Sequence, residues 1–316
     1  MNNFLKISDI DNLKIIVKEA IDLKDNPRKF QKLGENKTIV LLFFNASLRT
    51  RLSTQKAAIN LGMDVVVMNF TNEGWQLEFE DGVVMNQNKS EHVKEAAKVI
   101  SQYCDIVAIR AFAKLENKEN DLQDNVLNGF LKYAGVPVVN MESAIGHPLQ
   151  ALADAITIEE YKKTKRPKVV LSWAPHPKAL PHAVANSFIK MMQLQDADFI
   201  ITHPKGYELN PEITKNSVIE YNQEKALENA DFVYVKNWSS YKNYGKVLNT
   251  DSKWMMTDDK MKLTNKGKFM HCLPVRRNVI ATDEVMDSEN SIVIAQANNR
   301  TYSAQIVLKK ILEQND

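Results

Sequence analysis

The chain has 316 residues, 44% of them hydrophobic and 25% charged, with a formal net charge of +2. That length holds two domains of ordinary size, and the composition is that of a globular protein. So small a basic excess argues against nucleic acid or a membrane surface as partner, and no apolar run approaches the roughly 18 residues that span a bilayer.

Two distant cysteines, Cys104 and Cys272, make no disulfide framework, and the polar start MNNFLKISDIDNL lacks the basic-then-apolar plan of a leader; both predict a cytoplasmic protein. In chain order, the runs TIVLLF, DVVVMNF, DIVAI and VPVVN read as strands, followed by KVVLSW, DFIITH, DFVYV, KFMHC and SIVIA. Between them EHVKEAAKVISQY and HPLQALADAITIEEYKK carry apolar residues at helical spacing, as does Asn299 to Leu312. Strand alternating with helix predicts an α/β fold of two doubly wound parallel-sheet domains joined by helices. The segment around His147 to Lys163 reads as the bridge, giving domains of 1–145 and 146–298, with a terminal helix over 299–316 packing back on the first. The basic run KKTKRPK, Lys162 to Lys168, reads as a solvated turn.

Doubly wound sheets bind ligands past the carboxyl ends of their strands, and three polar clusters fall there. FFNASLRTR follows the first strand and offers Ser47, Leu48, Arg49 and Thr50 at a helix start, where free N–H groups, the helix dipole and bidentate arginines suit a phosphate. The bland alternative is a serine-capped helix with its arginines in water. Arg110 ends DIVAIR, and VVNMESAIGHPLQ sets Glu142, His147 and Gln150 around a strand-to-helix turn. There a histidine can donate to a carbonyl oxygen and a glutamine can read an amide. HCLPVRR, His271 to Arg277, adds a thiol at Cys272, a carbonyl at Leu273 and two arginines. Adjacent His271 and Cys272 make a poor zinc pair, and no G-x-x-x-x-G-K-S/T or G-x-G-x-x-G appears, so no metal, nucleotide or other cofactor is expected. Hydroxyls, arginines, a histidine, a glutamine and a thiol suit a small phosphorylated acyl donor.

SLRTR after FF, HPLQALAD, HCLP and the late QANNR, in that order over nearly the whole chain, resemble the aspartate and ornithine carbamoyltransferase family. The resemblance implies a first domain that binds carbamoyl phosphate, a second that binds the amine, and a homotrimer with active sites shared between subunits. It implies phosphate-holding roles for Ser47, Leu48, Arg49, Thr50, Arg300 and Trp75, the last from a neighbouring subunit. It also implies that Arg110, His147 and Thr50 point donors at the carbamoyl oxygen and that Gln150 and Leu273 contact carbamoyl phosphate; catalysis is expected of Arg110, His147, Gln150 and Cys272. Taken alone, Trp75 would be a core aromatic.

HCLP is similar to the ornithine branch, yet VKNWSSYKNYG carries Lys236 where ornithine enzymes have an aspartate for the α-ammonium. A cation there repels an α-ammonium and accepts an acylated, neutral nitrogen beside a free carboxylate. With NEGW, Met141 and Glu142, and WAPHPKALPHAVANS, the pattern resembles the N-acetylornithine and N-succinylornithine carbamoyltransferases, which implies a knotted second domain. In those relatives a glutamate (acetyl) or a proline (succinyl) precedes the E-H pair that here reads KSEHV, so Ser90 fits neither. Serine removes the repulsion a glutamate would exert on a succinyl carboxylate, and His176 and Arg276 can pair with that group. The expected acylornithine contacts are therefore Glu142, His176, Lys236, Cys272, Arg276 and Ser90. N-succinyl-L-ornithine is the expected acceptor, N-acetyl-L-ornithine the alternative, and the product an acylated citrulline for arginine biosynthesis. Ser90 alone, in SEHV, would be a helix N-cap. A reading of another class is a non-catalytic binder of an amino-acid derivative on the same fold.

Overall fold

The computed structural model describes residues 1–315 and divides into two units, Met1–Leu149 with Arg300 onward, and Gln150–Asn299. Both breaks fall inside helices, where a sequence carries no linker signal. They lie after Leu149 and Asn299, whereas the sequence reading placed them after residues 145 and 298.

Unit 1 begins with α1 (Leu13–Asp25), β1 (Thr38–Phe43), α2 (Leu48–Asn60) and β2 (Asp64–Asn69). A two-residue pair, β3 (Leu77–Glu78) and β4 (Glu91–His92), precedes α3 (Val93–Ile100) and β5 (Ile106–Arg110). Then come α4 (Lys118–Gln123), α5 (Asn125–Tyr133) and β6 (Val138–Glu142). The sheet order is β2-β1-β5-β6, and every pairing is parallel. β1 is buried from Ile39 to Phe43, as an interior parallel strand covered on both faces must be. The chain passes from β1 to β2 on one side and then crosses to β5 on the other, so the direction reverses between β1 and β5. A ligand crevice belongs at such a reversal.

Unit 2 holds α6 (Pro148–Tyr161) from Gln150, then β7 (Lys168–Trp173), α7 (Ala183–Met192) and β8 (Asp198–Thr202). α8 (Pro211–Thr214), β9 (Val218–Glu220), α9 (Gln223–Leu227) and β10 (Phe232–Lys236) follow. α10 (Asp258–Met261), β11 (Lys268–Met270) and α11 (Asp283–Met286) lead into α12 (Val293–Asn315). This sheet is also parallel, ordered β11-β10-β7-β8-β9, and reverses between β7 and β10. Its core packs Val170, Val233, Val235 and Phe269 against Leu227 and Ile280.

SIVIA is not a strand. Ser291 makes one bridge to Phe269, and α12 starts at Val293 with Ile294 turned to solvent. A four-residue apolar run satisfies either period, and here the three-residue β11 offers too short a ladder to extend. The terminal helix consequently starts six residues before Asn299. The turn at 163–166 is exposed throughout.

Candidate active site

In unit 1 the reversal gathers one polar cluster. Ser47 caps α2, its hydroxyl accepting from the Thr50 amide at 3.3 Å, which leaves Leu48 68% exposed and turns Thr50 inward. Arg110 and Glu142 are the last residues of β5 and β6 and lie in register, so their side chains meet as an ion pair. Thr50 Oγ1 accepts from Arg300 at 2.6 Å and from Arg110 at 3.4 Å. His147 Nε2 lies 3.5 Å from both Glu142 and Arg300. Burial holds the His147 imidazole well below its usual pKa, and the charges of Arg300 and then Arg110 push the same way, so the ring is neutral. Two guanidiniums therefore face one carboxylate, with Arg49 half-buried one residue before Thr50. The net charge is positive and sits at a helix N-terminus, which is an anion site.

Trp75 and Ser90 lie elsewhere in unit 1, on a cleft of about 960 Å³ bordered by Phe44, Phe112 and Asn125. Trp75 is 54% exposed and its Nε1 donates to Glu91 at 2.8 Å. Among the described residues no hydrogen bond joins Trp75 or Ser90 to the Thr50 cluster. Ser90 is not a helix cap: α3 is capped by His92, whose Nδ1 accepts from the Lys94 amide at 3.1 Å, because the Glu91–His92 bridge delays the helix by one further turn position.

In unit 2 the reversal brings Lys236, at the end of β10, into register with Trp173 at the end of β7. Lys236 is 9% exposed, and its ammonium donates to the Asn237 carbonyl at 3.0 Å. No carboxylate pairs with it among the described residues. Asn237 donates to the Ala174 carbonyl at 2.7 Å, and Trp173 Nε1 to the Trp238 carbonyl at 2.9 Å, so side-chain bonds in both directions tie the exit of β10 to that of β7. Arg276 Nε donates to His176 Nε2 at 3.1 Å. Partial burial, then Lys236 and Arg276, hold the His176 pKa below its ordinary value against the Lys178 carbonyl, which acts the other way. Lys236, Arg276 and neutral His176 thus make a cationic group ready for carboxylates.

Gln150 donates to Asp154 at 2.8 Å, and its buried Oε1 has no protein partner. Asp154 also accepts from Gln296 at 2.7 Å, and Gln296 Oε1 accepts from the His271 amide at 2.9 Å. His271 Nδ1 in turn accepts from the Leu273 amide at 2.8 Å. This chain of bonds shapes the turn that carries Cys272 and holds Leu273 at a φ of 56°, a conformation that an unsupported leucine disfavours. Tyr234 sits beneath, its hydroxyl held well above the usual range by burial, then by Asp154 and Cys272. Sequence reasoning passed over Asp154, Gln296 and Tyr234. Asp154 was legible as the last letter of HPLQALAD, one helical turn from Gln150. No group of three or more His, Cys, Asp or Glu suited to a metal occurs among the described residues, and no helix there is long and apolar enough to cross a membrane.

Two parallel α/β units, each with polar residues at its strand-order reversal, one cationic around a helix N-terminus and one cationic around a buried lysine, are an arrangement suited to two anionic small molecules. The chain belongs to the aspartate/ornithine carbamoyltransferase family. Residues 2–160 match the model of the aspartate/ornithine carbamoyltransferase carbamoyl-P binding domain, and residues 181–311 that of the Asp/Orn binding domain. It is 53% identical over 315 residues, 99% of each chain, to the N-succinylornithine carbamoyltransferase of Bacteroides thetaiotaomicron. To the N-acetylornithine carbamoyltransferase of Xanthomonas campestris pv. campestris it is 37% identical over 311 residues, 91% of each. Among solved structures it resembles an N-acetyl-L-ornithine transcarbamylase variant, with serine in place of one glutamate, in complex with carbamyl phosphate and N-succinyl-L-norvaline. That match has a TM-score of 0.92 at 36% identity and covers 98% of this chain and 100% of the other.

Proposed function

We propose that the protein transfers the carbamoyl group of carbamoyl phosphate to the δ-amine of N-succinyl-L-ornithine, giving N-succinyl-L-citrulline and phosphate. The observation that carries the choice of acceptor is Lys236, a buried ammonium with no carboxylate beside it. Such a group disfavours a free α-ammonium and stabilises an α-carboxylate next to a neutral amide. The relatives named for acylated ornithines support the same choice.

In this reading unit 1 holds the phosphate with Ser47, Arg49, Thr50, Arg300 and the backbone at Leu48. Trp75 of a neighbouring subunit completes the pocket in a homotrimer. Arg110 and His147 donate to the carbamoyl oxygen, where negative charge develops as the amine attacks; removing one such donor costs roughly 10²–10³ in rate. A neutral His147 suits that role, since an imidazole can donate without adding a positive charge to a site that must also release phosphate. Gln150 orients the carbamoyl amide. The Leu273 carbonyl and Cys272 orient the δ-amine, and Glu142 keeps Arg110 in place. A C–N bond forms, the bond from carbon to the phosphate oxygen breaks, and the amine, with a reference pKa near 10.4, gives up one proton.

Arg276 and His176 take the succinyl carboxylate, with Ser90 donating to it. Loss of one glutamate, to alanine, valine, proline or serine, is also what the succinyl-norvaline complexes of the related enzyme carry. N-acetyl-L-ornithine is the second reading, supported by the relatives named for it. The domains of the sequence reading, an arginine-biosynthetic role and a cytoplasmic location belong to the same proposal. The test is product formation from carbamoyl phosphate with ornithine, N-acetylornithine and N-succinylornithine side by side, with sedimentation for the trimer. Turnover of an acylated substrate alone supports the reading; turnover of free ornithine defeats it.

A further inference from the structure

Between Lys236 and Asp251 the chain makes an excursion with no helix or strand in it, and its exposed stretch includes Lys242, Lys246, Val247 and Leu248. Irregular segments of this kind sample many conformations unless something outside them binds their backbone. Here one residue does so at the far end. Tyr207, in the turn after β8, is 2% exposed, and its hydroxyl oxygen accepts from the amides of both Leu248 and Asn249, at 2.7 and 2.8 Å. Its backbone carbonyl accepts from Trp238 Nε1 at 2.9 Å, and its ring lies 4.6 Å from that of Trp173. The next residue continues the hold, the Glu208 carbonyl accepting from the Tyr241 amide at 3.2 Å. The start of the excursion at Trp238, half-buried Tyr241 and the return at Leu248 and Asn249 are therefore all tied to the two residues Tyr207 and Glu208.

From this geometry we infer that Tyr207 is a positioning residue for the acyl-amino-acid site: its hydroxyl ties down the return of the loop at Leu248 and Asn249, while its ring and backbone carbonyl support Trp173 and Trp238, on either side of Lys236. The inference rests on the proposed reading of Lys236 as the carboxylate-binding cation. A phenol oxygen is suited to this work because two amides can share its acceptor side while the ring is locked by packing on Trp173. Phenylalanine would keep the packing and lose both bonds. Most of the cost would fall on a loop that is free to rehydrate, so the fold survives the change.

The experiment is Tyr207→Phe, with Tyr161→Phe, an exposed phenol at the end of α6, as the control, read in two ways. Steady-state kinetics give KM for the acylornithine and for carbamoyl phosphate separately. Limited trypsin digestion reports cleavage after Lys242 and Lys246. We expect KM for the acylornithine to rise about tenfold with KM for carbamoyl phosphate unchanged, and cleavage at the two lysines to accelerate at least as much. Tyr161→Phe should change neither. Unchanged cleavage and unchanged acylornithine KM in an active Tyr207→Phe enzyme overturn the inference. A wild-type chain without turnover on any acylornithine defeats the functional reading instead, and the digestion still decides whether Tyr207 anchors the loop.

Discussion

Replacing Lys236 by methionine should make the protein more stable and a worse enzyme at once. Methionine retains the unbranched apolar stem and removes the ammonium, which is buried to all but 9% and satisfied only by the Asn237 carbonyl. A buried charge without a counter-ion is a net cost to folding; relief of about 1–2 kcal/mol is the expected order. At roughly 2–4 °C per kcal/mol for chains of a few hundred residues, the apparent Tm should rise by about 2–8 °C. The substrate side moves the other way. A charge-assisted bond to a carboxylate contributes about 1.5–3 kcal/mol, so KM for the acylornithine should increase about 10- to 100-fold, with KM for carbamoyl phosphate little changed. Differential scanning fluorimetry and a two-substrate kinetic matrix measure both. A lower Tm with an unchanged acylornithine KM would mean that Lys236 is a structural residue that binds no substrate, and the argument for an acylated acceptor would fail.

Thr50→Val removes the acceptor shared by Arg300 and Arg110 with almost no change in volume; KM for carbamoyl phosphate should rise on the order of tenfold and that of the amine should stay, and equal shifts in the two would count against the division of roles. Acid stability tests His147: its folded pKa lies below that of the unfolded chain, so the stabilisation is complete above about pH 6.5 and is lost as the pH falls, at about 1.4 kcal/mol per pH unit per group. His147→Gln should flatten urea-derived stability between pH 6.5 and 5 by about one proton, while His176 and His203, shifted the same way, keep some slope; identical slopes in both proteins would show that His147 is protonated in the fold. Ser90→Glu should reduce kcat/KM for N-succinylornithine at least tenfold more than for N-acetylornithine, and an unchanged ratio would remove Ser90 from the acyl site.

What the sequence disclosed follows from how locally each feature is encoded. β1 was legible because TIVLLF is apolar on both faces, and the start of α2 because Ser47 is a cap whose partner lies three residues away. Arg110 and Glu142 were visible as strand ends, but their ion pair depends on the β5–β6 register, which irregularity between Ile109 and Arg110 helps set. The hold of Arg300 on Thr50 spans 250 residues and has no local trace. The same holds for Asp154, which was part of a recognised motif yet draws its meaning from Gln296, 142 positions away. SIVIA and SEHV failed for the opposite reason: their local signals were real but were overruled by a short neighbouring strand and by His92.

The polar clusters of the two units differ in one respect that composition alone would never reveal. The cations of unit 1 enclose a carboxylate, Glu142, whereas those of unit 2 enclose none. A carboxylate among arginines orients them and weakens their hold on an anion, which in the proposed reading suits a phosphate that arrives as an acyl anhydride and must leave as product. Among the described residues Lys236 and Arg276 have no such counter-charge, so in the proposed reading the ligand supplies it, and two cations call for two carboxylates. N-succinylornithine carries two and N-acetylornithine one. If charge balance governs the choice, ionic strength becomes the discriminating variable: raising salt should weaken N-succinylornithine binding more steeply than N-acetylornithine binding, and the Arg276→Gln enzyme should show equal salt dependence for the two.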